Sequence, residues 1–396
     1  MKICILCTSY PRSKDDYWVP FMHSWAKELA KTQDVTVVTS GGDGCLDFET
    51  RDNVKIYRFN YFYPRRIQRL TYTGGMRESF RRDFIARIQA PFFMLAFFFK
   101  AFGVARKCDV INAHWILSGI VAIPLKIFCN KPIVLTEHGG SIRGLPRWLN
   151  RLVLERMDFV TSAHIDLIEE MKKIGVQAED VKNFLDEEKF LKKHDRQSIR
   201  QYLKIKENEH VVSFIARFEQ MKDPLTFINS IPYAAKEEKN IKFIVLGSGH
   251  LKDAVKKRIK EQDISASVIM PEPTSNVDRF LAISDVFVAS SPVENCFSTT
   301  ILEAMLSNVP CIITKAGMTE KYFTHKKYAY LVEKQNPKML GDSIAYLLKN
   351  EGLRKKLSQN GMEFLDKHGF RKKNIIKKIM RIFELAVKKT KSFDNS

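Results

Sequence analysis

Residues 290–314 constrain this chain more than any other stretch, because two short apolar, β-prone runs enclose a helical pattern. The runs are 286–289 and 310–314. Between them, Ser298 can cap a helix that Pro310 then stops. The apolar face of this helix consists of Ile301, Leu302, Met305 and Leu306. The stretch therefore predicts the order strand, loop, helix, strand.

Two carboxylates in this stretch suggest a binding site. A helix that opens after a strand directs unpaired backbone N–H groups and a partial positive charge beyond the strand end, which suits a phosphate. Glu303 lies roughly 7 Å along the axis from Ser298, so its carboxylate can meet a sugar hydroxyl. Glu294 lies in the loop. The alternative is a plain βαβ crossover with one glutamate on the helix surface and one in the loop.

The segment SPVENCFSTTILEAMLSNVPCII resembles the carboxylate–loop–carboxylate signature of the retaining nucleotide-sugar glycosyltransferases of family four. The resemblance implies an α/β chain with the GT-B fold, two Rossmann-like domains facing each other across a cleft. The family usually spaces its two glutamates eight residues apart, whereas Glu294 and Glu303 are nine apart. Either the loop has one extra residue or Asn295 has replaced the first glutamate, and both alternatives remain open.

The chain has 396 residues, which is too long for one ordinary core and indicates two domains. Residues 186–209 are charged and lack a long apolar run, so we expect the hinge there. We predict an acceptor-side domain at 1–190 and a nucleotide-sugar-binding domain at 191–371. An amphipathic helix at about 372–391 is expected to pack back on the first domain.

The balance of 65 Lys+Arg against 45 Asp+Glu, a formal charge of +20, predicts attraction to phosphate-rich partners. No nucleic-acid-binding motif accompanies the charge, so nucleic acid is not an expected partner. In residues 65–107, seven arginines precede a run of about ten apolar residues, half of what a spanning helix needs. We therefore predict no transmembrane segment there, and contact with an anionic membrane surface instead. The alternative is that the Phe-rich helix packs on the sheet.

The seven cysteines lack metal-ligand spacing, and no secretory pattern is present, so reduced thiols in the cytosol are expected. Together with the membrane prediction, this indicates a cytoplasmic protein that is peripheral at the inner face of the cell membrane.

Other candidate residues follow predicted strands, where open parallel sheets bind their ligands. Arg217 and Lys222, five apart, can both reach a diphosphate. Gly247 and Gly249 form a tight turn but lack the third glycine of a dinucleotide fingerprint, which argues against a dehydrogenase. The remaining candidates at strand ends are Ser9, Tyr10, His114 and His138.

The resemblance implies roles for these residues and a mechanism without metal or cofactor. The catalytic set is Glu294, His138, Arg217 and Lys222. The donor-binding set is Glu303, Asn295, Phe297, Ser298, Thr299, Gly247 and Gly249. The acceptor-side set is Ser9, Tyr10 and His114.

The leading hypothesis is a retaining glycosyltransferase that moves a sugar from a nucleotide diphosphate to a hydroxyl of a lipid-linked or polysaccharide acceptor. One alternative is a nucleotide-sugar 2-epimerase of the same fold. The other is a non-enzymatic basic protein that binds membrane or nucleic acid and has a degenerate GT-B core.

Overall fold

The computed structural model describes residues 1–14, 16, 18–71, 76–139, 146–294 and 297–394. The chain divides into two compact units. Unit 1 comprises Met1–Phe184 and Lys372–Ser396, and unit 2 comprises Leu185–Arg371. The first segment of unit 1 thus ends at Phe184, six residues before the predicted domain end at residue 190, and the C-terminal helix belongs to unit 1.

The strands follow the apolar runs of the sequence and are, in chain order, β1 Lys2–Leu6, β2 Asp34–Ser40, β3 Phe48–Arg51, β4 Val54–Phe59, β5 Val110–His114, β6 Ile133–Glu137, β7 Phe159–Ser162, β8 Glu179–Asp180, β9 His210–Ile215, β10 Ile241–Leu246, β11 Val268–Ile269, β12 Val286–Ala289, β13 Cys311–Thr314 and β14 Tyr330–Val332.

The helices are, in chain order, α1 Pro20–Ala30, α2 Met76–Arg82, α3 Phe84–Ala105, α4 Trp115–Cys129, α5 Arg147–Leu154, α6 Ile165–Lys173, α7 Glu187–Phe190, α8 Arg196–Tyr202, α9 Pro224–Glu237, α10 Lys252–Glu261, α11 Val277–Ala282, α12 Thr299–Leu306, α13 Met318–Tyr322, α14 Pro337–Lys349, α15 Glu351–Lys367 and α16 Lys372–Asp394. A short 3-10 helix covers Arg65–Ile67.

The sheet of unit 1 has the order β3-β4-β2-β1-β5-β6-β7-β8, and its pairs are parallel except for antiparallel β3 and β4. Both faces are covered, so β1 is apolar at successive positions. Ile3 and Ile5 pack with α1 and α16, whereas Cys4 and Leu6 pack with α3, α4 and α5. The chain leaves β1 for β2 on one side and returns to β5 on the other, which is a topological switch point of the kind where open sheets bind ligands.

The sheet of unit 2 is parallel throughout, with the order β11-β10-β9-β12-β13-β14. Helices α9, α10 and α14 pack against one face of it. Its switch point lies where β9 separates β10 from β12. The loops after β9 and β12 therefore meet at the carboxyl edge of the sheet, and they carry most of the predicted donor-binding residues.

One sequence prediction is wrong. The charged segment 186–209, expected as a hinge, folds within unit 2 as α7 and α8, because Asp186 and Asp195 accept capping hydrogen bonds from backbone N–H groups. The Phe-rich helix α3 has 22 residues and so extends beyond the apolar run of about ten residues at both ends. Among the described residues, α3 is the one helix that is both long enough and apolar enough to cross a membrane, judged by length and composition alone. Its inner face, however, packs on the sheet of unit 1.

Candidate active site

In unit 2, the glycine turn after β10 packs against the loop that carries Arg217. A Cβ atom on Gly247 would lie 1.9 Å from the carbonyl oxygen of Ala216, and one on Gly249 would lie 2.5 Å from that of Phe218. The backbone N–H of Phe218 also donates to the Ser248 carbonyl at 2.7 Å. Both glycines are therefore required by this close approach, and the turn fixes the position of the Arg217 loop.

The Arg217 side chain itself is 70% exposed, and its Nη1 lies 2.9 Å from Oε1 of Glu219. An exposed pair of this kind contributes little to stability. The guanidinium can therefore exchange Glu219 for a phosphate at small cost, and its planar fork suits two phosphate oxygens.

Lys222 and Glu294 are brought together although they are 72 positions apart in the sequence. Lys222 Nζ lies 2.8 Å from Oε1 of Glu294, whose side chain is 3% exposed. The Ser290 hydroxyl donates to the carbonyl of Asp223 at 2.8 Å, which ties the loop after β12 to the loop after β9. The ammonium group is thus held at a defined point on the carboxyl edge of the sheet.

Gly317 positions Glu294 as well, and sequence reasoning missed it. The N–H of Met318 donates to the Glu294 carbonyl at 2.9 Å, and a Cβ atom on Gly317 would lie 2.6 Å from that same oxygen. Gly317 also has a φ of +54°, which favours glycine. The signal was available, because this glycine follows a strand at the same sheet edge as Gly247.

Helix α12 begins at Thr299 with Ser298 as N-cap residue, but within the described residues the Ser298 side chain makes no capping hydrogen bond. Capping by that side chain was expected and is not found. The backbone N–H groups of the first turn still point out of the helix start. The Phe297 ring packs between Tyr322 and Phe370, with ring centroids 5.2 and 4.9 Å apart, so only its backbone is available to a ligand. Asn295 lies outside the described residues, so the choice between Asn295 and Glu294 stays open.

Glu303 is half-buried on α12. Burial raises the pKa of its carboxyl to about 7; Lys189 opposes this shift, and the charges of Asp186 and Asp278 add to it. Lys189 Nζ lies 3.8 Å from Oδ1 of Asp278, and His194 Nε2 lies 2.9 Å from its Oδ2. Sequence reasoning missed this group, because Lys189 and His194 lie in the segment that was expected to be a hinge.

In unit 1, His114 and His138 form a hydrogen-bonded chain with Asn112. His114 Nδ1 lies 2.7 Å from His138 Nε2, and His114 Nε2 lies 2.9 Å from Asn112 Oδ1. The Asn112 amide nitrogen donates to the Val134 carbonyl at 3.0 Å, which fixes its orientation. Its Oδ1 can only accept, so His114 carries its proton on Nε2 and accepts on Nδ1. His138 therefore donates from Nε2.

Both imidazoles are held neutral by their surroundings. Burial sets the pKa of His114 well below its usual range, and a second ring charge at His138 would lower it further. Burial, with a smaller contribution from His164, lowers the pKa of His138 to about 3. A neutral His138 that donates from Nε2 retains a lone pair on Nδ1. Asn112 was missed; the signal was a lone amide within a buried apolar strand.

Tyr10 and Ser9 follow β1 at the switch point of unit 1. Tyr10 is fully buried, and its hydroxyl lies 2.6 Å from Nδ1 of His23, whose Nε2 lies 2.8 Å from Oδ2 of Asp52. Because Asp52 can only accept, His23 donates from Nε2 and the Tyr10 hydroxyl donates to Nδ1. Tyr10 thus fixes its own loop, and its acceptor-side role, like that of half-buried Ser9, stays a prediction.

Among the described residues, no group of three or more His, Cys, Asp or Glu side chains could hold a metal ion. Metal independence nevertheless stays a prediction. The arrangement in unit 2 is a cationic loop, a helix start and two carboxylates at one sheet edge. The arrangement in unit 1 is a pair of neutral histidines near the switch point of that unit's own sheet.

Comparison with known proteins agrees with this architecture. Residues 19–182 match the glycosyl transferase 4-like domain, and residues 195–364 match the glycosyl transferases group 1 model. HepE of Anabaena, solved with UDP and glucose, has a TM-score of 0.73 at 16% identity, over 97% of this chain and 99% of that one. Sucrose-phosphate synthase of Thermosynechococcus elongatus has a TM-score of 0.76 at 16% identity, over the full length of both. These two likenesses define the fold, an α/β GT-B fold.

Similar sequences are named as transferases. N-acetyl-alpha-D-glucosaminyl L-malate synthase of Bacillus anthracis is 27% identical over 308 residues, 74% of this chain and 80% of its own length. An alpha-1,4-N-acetyl-D-galactosaminyltransferase of Campylobacter jejuni, whose name specifies an undecaprenol-diphosphate-linked acceptor, is 23% identical over 72% of this chain and 78% of its own. Poly(ribitol-phosphate) alpha-N-acetylglucosaminyltransferase of Staphylococcus aureus is 24% identical over 52% of this chain and 40% of its own.

The chain belongs to the group 1 glycosyltransferases of the family-four type, and it is a transferase enzyme. The epimerase and the non-enzymatic alternatives are not favoured.

Proposed function

We propose that this glycosyltransferase moves a sugar, with retention of configuration, from a nucleotide-diphosphate sugar to a hydroxyl of a lipid-linked or polysaccharide acceptor in cell-surface glycan synthesis. The observation that carries the proposal is the Lys222–Glu294 pair, 2.8 Å apart beside the Arg217 loop. The names of the Staphylococcus and Campylobacter relatives support the acceptor class.

Unit 2 supplies the stabilisation of the leaving group. As the bond to the sugar breaks, the sugar becomes oxocarbenium-like and negative charge collects on the diphosphate. Arg217, Lys222 and the N–H groups at the start of α12 offset that charge. Because Glu294 holds the Lys222 ammonium in advance, little reorganisation is needed when the charge develops.

Glu303 binds the donor ribose. An ionised carboxylate can accept from two hydroxyl groups through both of its oxygens, whereas the protonated group donates from one of them. Because burial raises the pKa of this carboxyl to about 7, binding of the donor draws it towards the charged form, with release of a proton.

The family resemblance assigns His138 of unit 1 to the transferred sugar. His138 is neutral and donates from Nε2 to His114, so its Nδ1 can accept a hydrogen bond from a hydroxyl of the transferred sugar. Asn112 and His114 are positioning residues that fix this tautomer.

A thermal-shift screen tests the donor site. Purified protein is mixed with uridine, guanosine, adenosine and thymidine diphosphates and their sugar conjugates, with chelator or with Mg²⁺. A ligand at ten times its dissociation constant should stabilise the protein by about 1.4 kcal/mol. We expect one base to stand out, and the shift to persist in chelator.

The variants Lys222→Ala and Glu303→Ala should lose the shift and donor turnover. Lys349→Ala is the matched control, because Lys349 also pairs with a glutamate of unit 2, Glu237, at 3.3 Å. If Lys222→Ala and Glu303→Ala, both folded, keep wild-type nucleotide affinity and turnover, the assignment of the donor site is wrong.

A further inference from the structure

Helix α3 has a second apolar face that points away from the core. Its inner side chains, including Phe93 and Phe97, are buried against the sheet of unit 1. Its outer side chains recur at spacings of three and four residues and are 48 to 70% exposed. They are Phe84, Ile88, Phe92, Leu95 and Phe99. A helix that is apolar on both sides has more apolar surface than one core can cover.

The exposed apolar surface continues onto two neighbouring helices. In unit 1, α3 packs on α4 and α4 packs on α5. The Phe98 ring contacts Phe99 at 5.4 Å and Phe128 of α4 at 6.3 Å between centroids. Large apolar side chains at the end of α4 and along α5 are 40 to 75% exposed, namely Ile127, Phe128, Trp148 and Leu152. We name this set, with the outer stripe of α3, the α3–α5 surface. Large exposed apolar patches mark interaction sites.

Positive charge surrounds the α3–α5 surface. Residues 84–136 contain six Lys or Arg and one acidic residue, Asp109. Arg106 and Lys107 are exposed at the end of α3, and Arg147 is exposed on α5. Arg151 of α5 is also exposed but forms an ion pair with Glu155 at 2.7 Å. Part of the positive charge predicted upstream is offset, because Arg65 and Arg69 form ion pairs with aspartates.

We propose that the α3–α5 surface is the face on which this enzyme lies on an anionic lipid bilayer, with its apolar side chains below the headgroups and its basic side chains at the level of the phosphates. Amphipathic surfaces bind membranes through this combination of buried apolar area and electrostatic attraction. Exposed Trp148, an amphipathic ring, suits the headgroup region.

The same observations disfavour other occupants. A second copy would bring an equally basic surface against this one, and like charges oppose such a symmetric contact. Insertion of α3 across the bilayer would remove Phe93 and Phe97 from the core of unit 1. The surface deepens the proposed function, since a bilayer-bound enzyme can reach a lipid-linked acceptor, but binding to lipid itself requires neither donor nor transfer.

Vesicle sedimentation without donor tests the proposal. We expect wild-type protein to partition onto phosphatidylcholine vesicles that contain phosphatidylglycerol, and to bind several-fold less when that lipid is omitted or salt is raised. The variant Phe92→Ser/Leu95→Ser/Phe99→Ser should lose at least about tenfold in partition coefficient. The control Leu46→Ser/Tyr202→Ser/Tyr346→Ser removes exposed apolar side chains elsewhere and should bind as wild type.

Trp148 reports which face binds. Brominated lipids should quench the tryptophan emission of the bound protein, and Trp148→Phe should remove most of that quenching. Of the other three tryptophans, Trp25 is buried, whereas Trp18 and Trp115 are half-buried, and the Trp115 ring lies 5.2 Å from that of His138. Any one of three results would overturn the proposal. Wild-type protein does not bind vesicles, the two triple variants bind equally, or the quenching survives Trp148→Phe. A dimer that the α3 variant converts to monomer would assign the surface to a second copy instead.

Nucleotide-induced thermal shifts measured on the same variants separate this proposal from the proposed function. The α3 variant should keep the shift, since its substitutions lie in unit 1. If the α3 variant keeps the nucleotide-induced shift but loses vesicle binding, the result supports the membrane face alone. If wild-type protein binds vesicles but no donor, the result contradicts only the transferase proposal.

Discussion

Among the residues of the donor site, Glu303 has an environment that opposes its proposed ionised role. Burial raises the pKa of its carboxyl from 4.5 to about 7. The folded state therefore holds a proton that the unfolded chain releases once the pH exceeds about 4.5. Since the unfolded state binds fewer protons in this window, stability falls as the pH rises from about 4.5 to 7.

Glu303→Gln should remove this pH-dependent loss of stability. The variant is expected to match wild type near pH 4.5 and to exceed it at pH 8 by up to about 3 kcal/mol, the equivalent of a shift of about 2.5 pKa units. Urea denaturation at the two pH values measures the difference. Glu351→Gln is the control with the opposite sign, because Lys355 lowers the pKa of Glu351 and the substitution should bring no gain at pH 8. A Glu303→Gln variant that gains nothing between the two pH values would contradict the desolvated carboxylate.

The positions of the charged candidate residues after strands were predictable from the sequence, whereas their partners were not. Arg217, Lys222 and Glu294 were predictable because each follows an apolar strand. The contact of Lys222 with Glu294 was not, because it requires β9 and β12 to be neighbours in the sheet. Asn112 looked like an ordinary strand residue, since its role depends on the contact between His114 of its own strand and His138, which follows the next strand.

At the scale of elements, the turn between β13 and α13 supports the loop after β12. Gly317→Ala should therefore act on Glu294 without contacting substrate. The new Cβ would meet the Glu294 carbonyl at 2.6 Å, and alanine is strained at a φ of +54°. We expect a loss of about 1–3 kcal/mol in unfolding free energy and a fall of at least about tenfold in kcat, because a displaced catalytic group is costly.

Gly352→Ala is the matched control for Gly317→Ala. Gly352 lies in helix α15 of the same unit, and a Cβ atom there would meet nothing within 4 Å. Alanine should stabilise the helix by about 0.4–1 kcal/mol and leave kcat unchanged. Urea denaturation and initial rates test both variants. If Gly317→Ala retained full activity, the support of Glu294 by this turn would be irrelevant to catalysis.

Elements with continuous apolar runs were predictable, and those whose stability depends on isolated contacts were not. Strands such as β9 and β10 are buried on both faces, so their sequences are apolar throughout. Helices α7 and α8 each bury a single residue, Phe190 and Ile199, and their charged sequence looked like a linker. The apolar run of α3 is shorter than the helix because Arg87 and Gln89 interrupt the apolar pattern before Pro91.

At the scale of the whole molecule, the chain returns to unit 1 at its end, so that the core of this unit depends on residues about 350 positions apart. Ile375, Ile379 and Phe383 of α16 are buried with Trp25 of α1. The ammonium of Lys378 donates to the carbonyl of Asp180 at 2.7 Å. The amphipathic period predicted the helix, but its position in the core required the tertiary structure.

Removal of residues 372–396 should therefore unfold unit 1. Each fully buried Ile or Phe contributes about 1.5–3 kcal/mol, so the loss of four of them approaches the 5–15 kcal/mol that typically stabilises a domain. The four are Ile375, Ile379, Ile382 and Phe383. We expect limited proteolysis to degrade unit 1 rapidly while fragments of unit 2 survive. The finer test is Ile379→Asn against exposed Lys377→Asn, of which only the first should lower Tm. Equal protease resistance of full-length and truncated protein would mean that α16 does not contribute to this core.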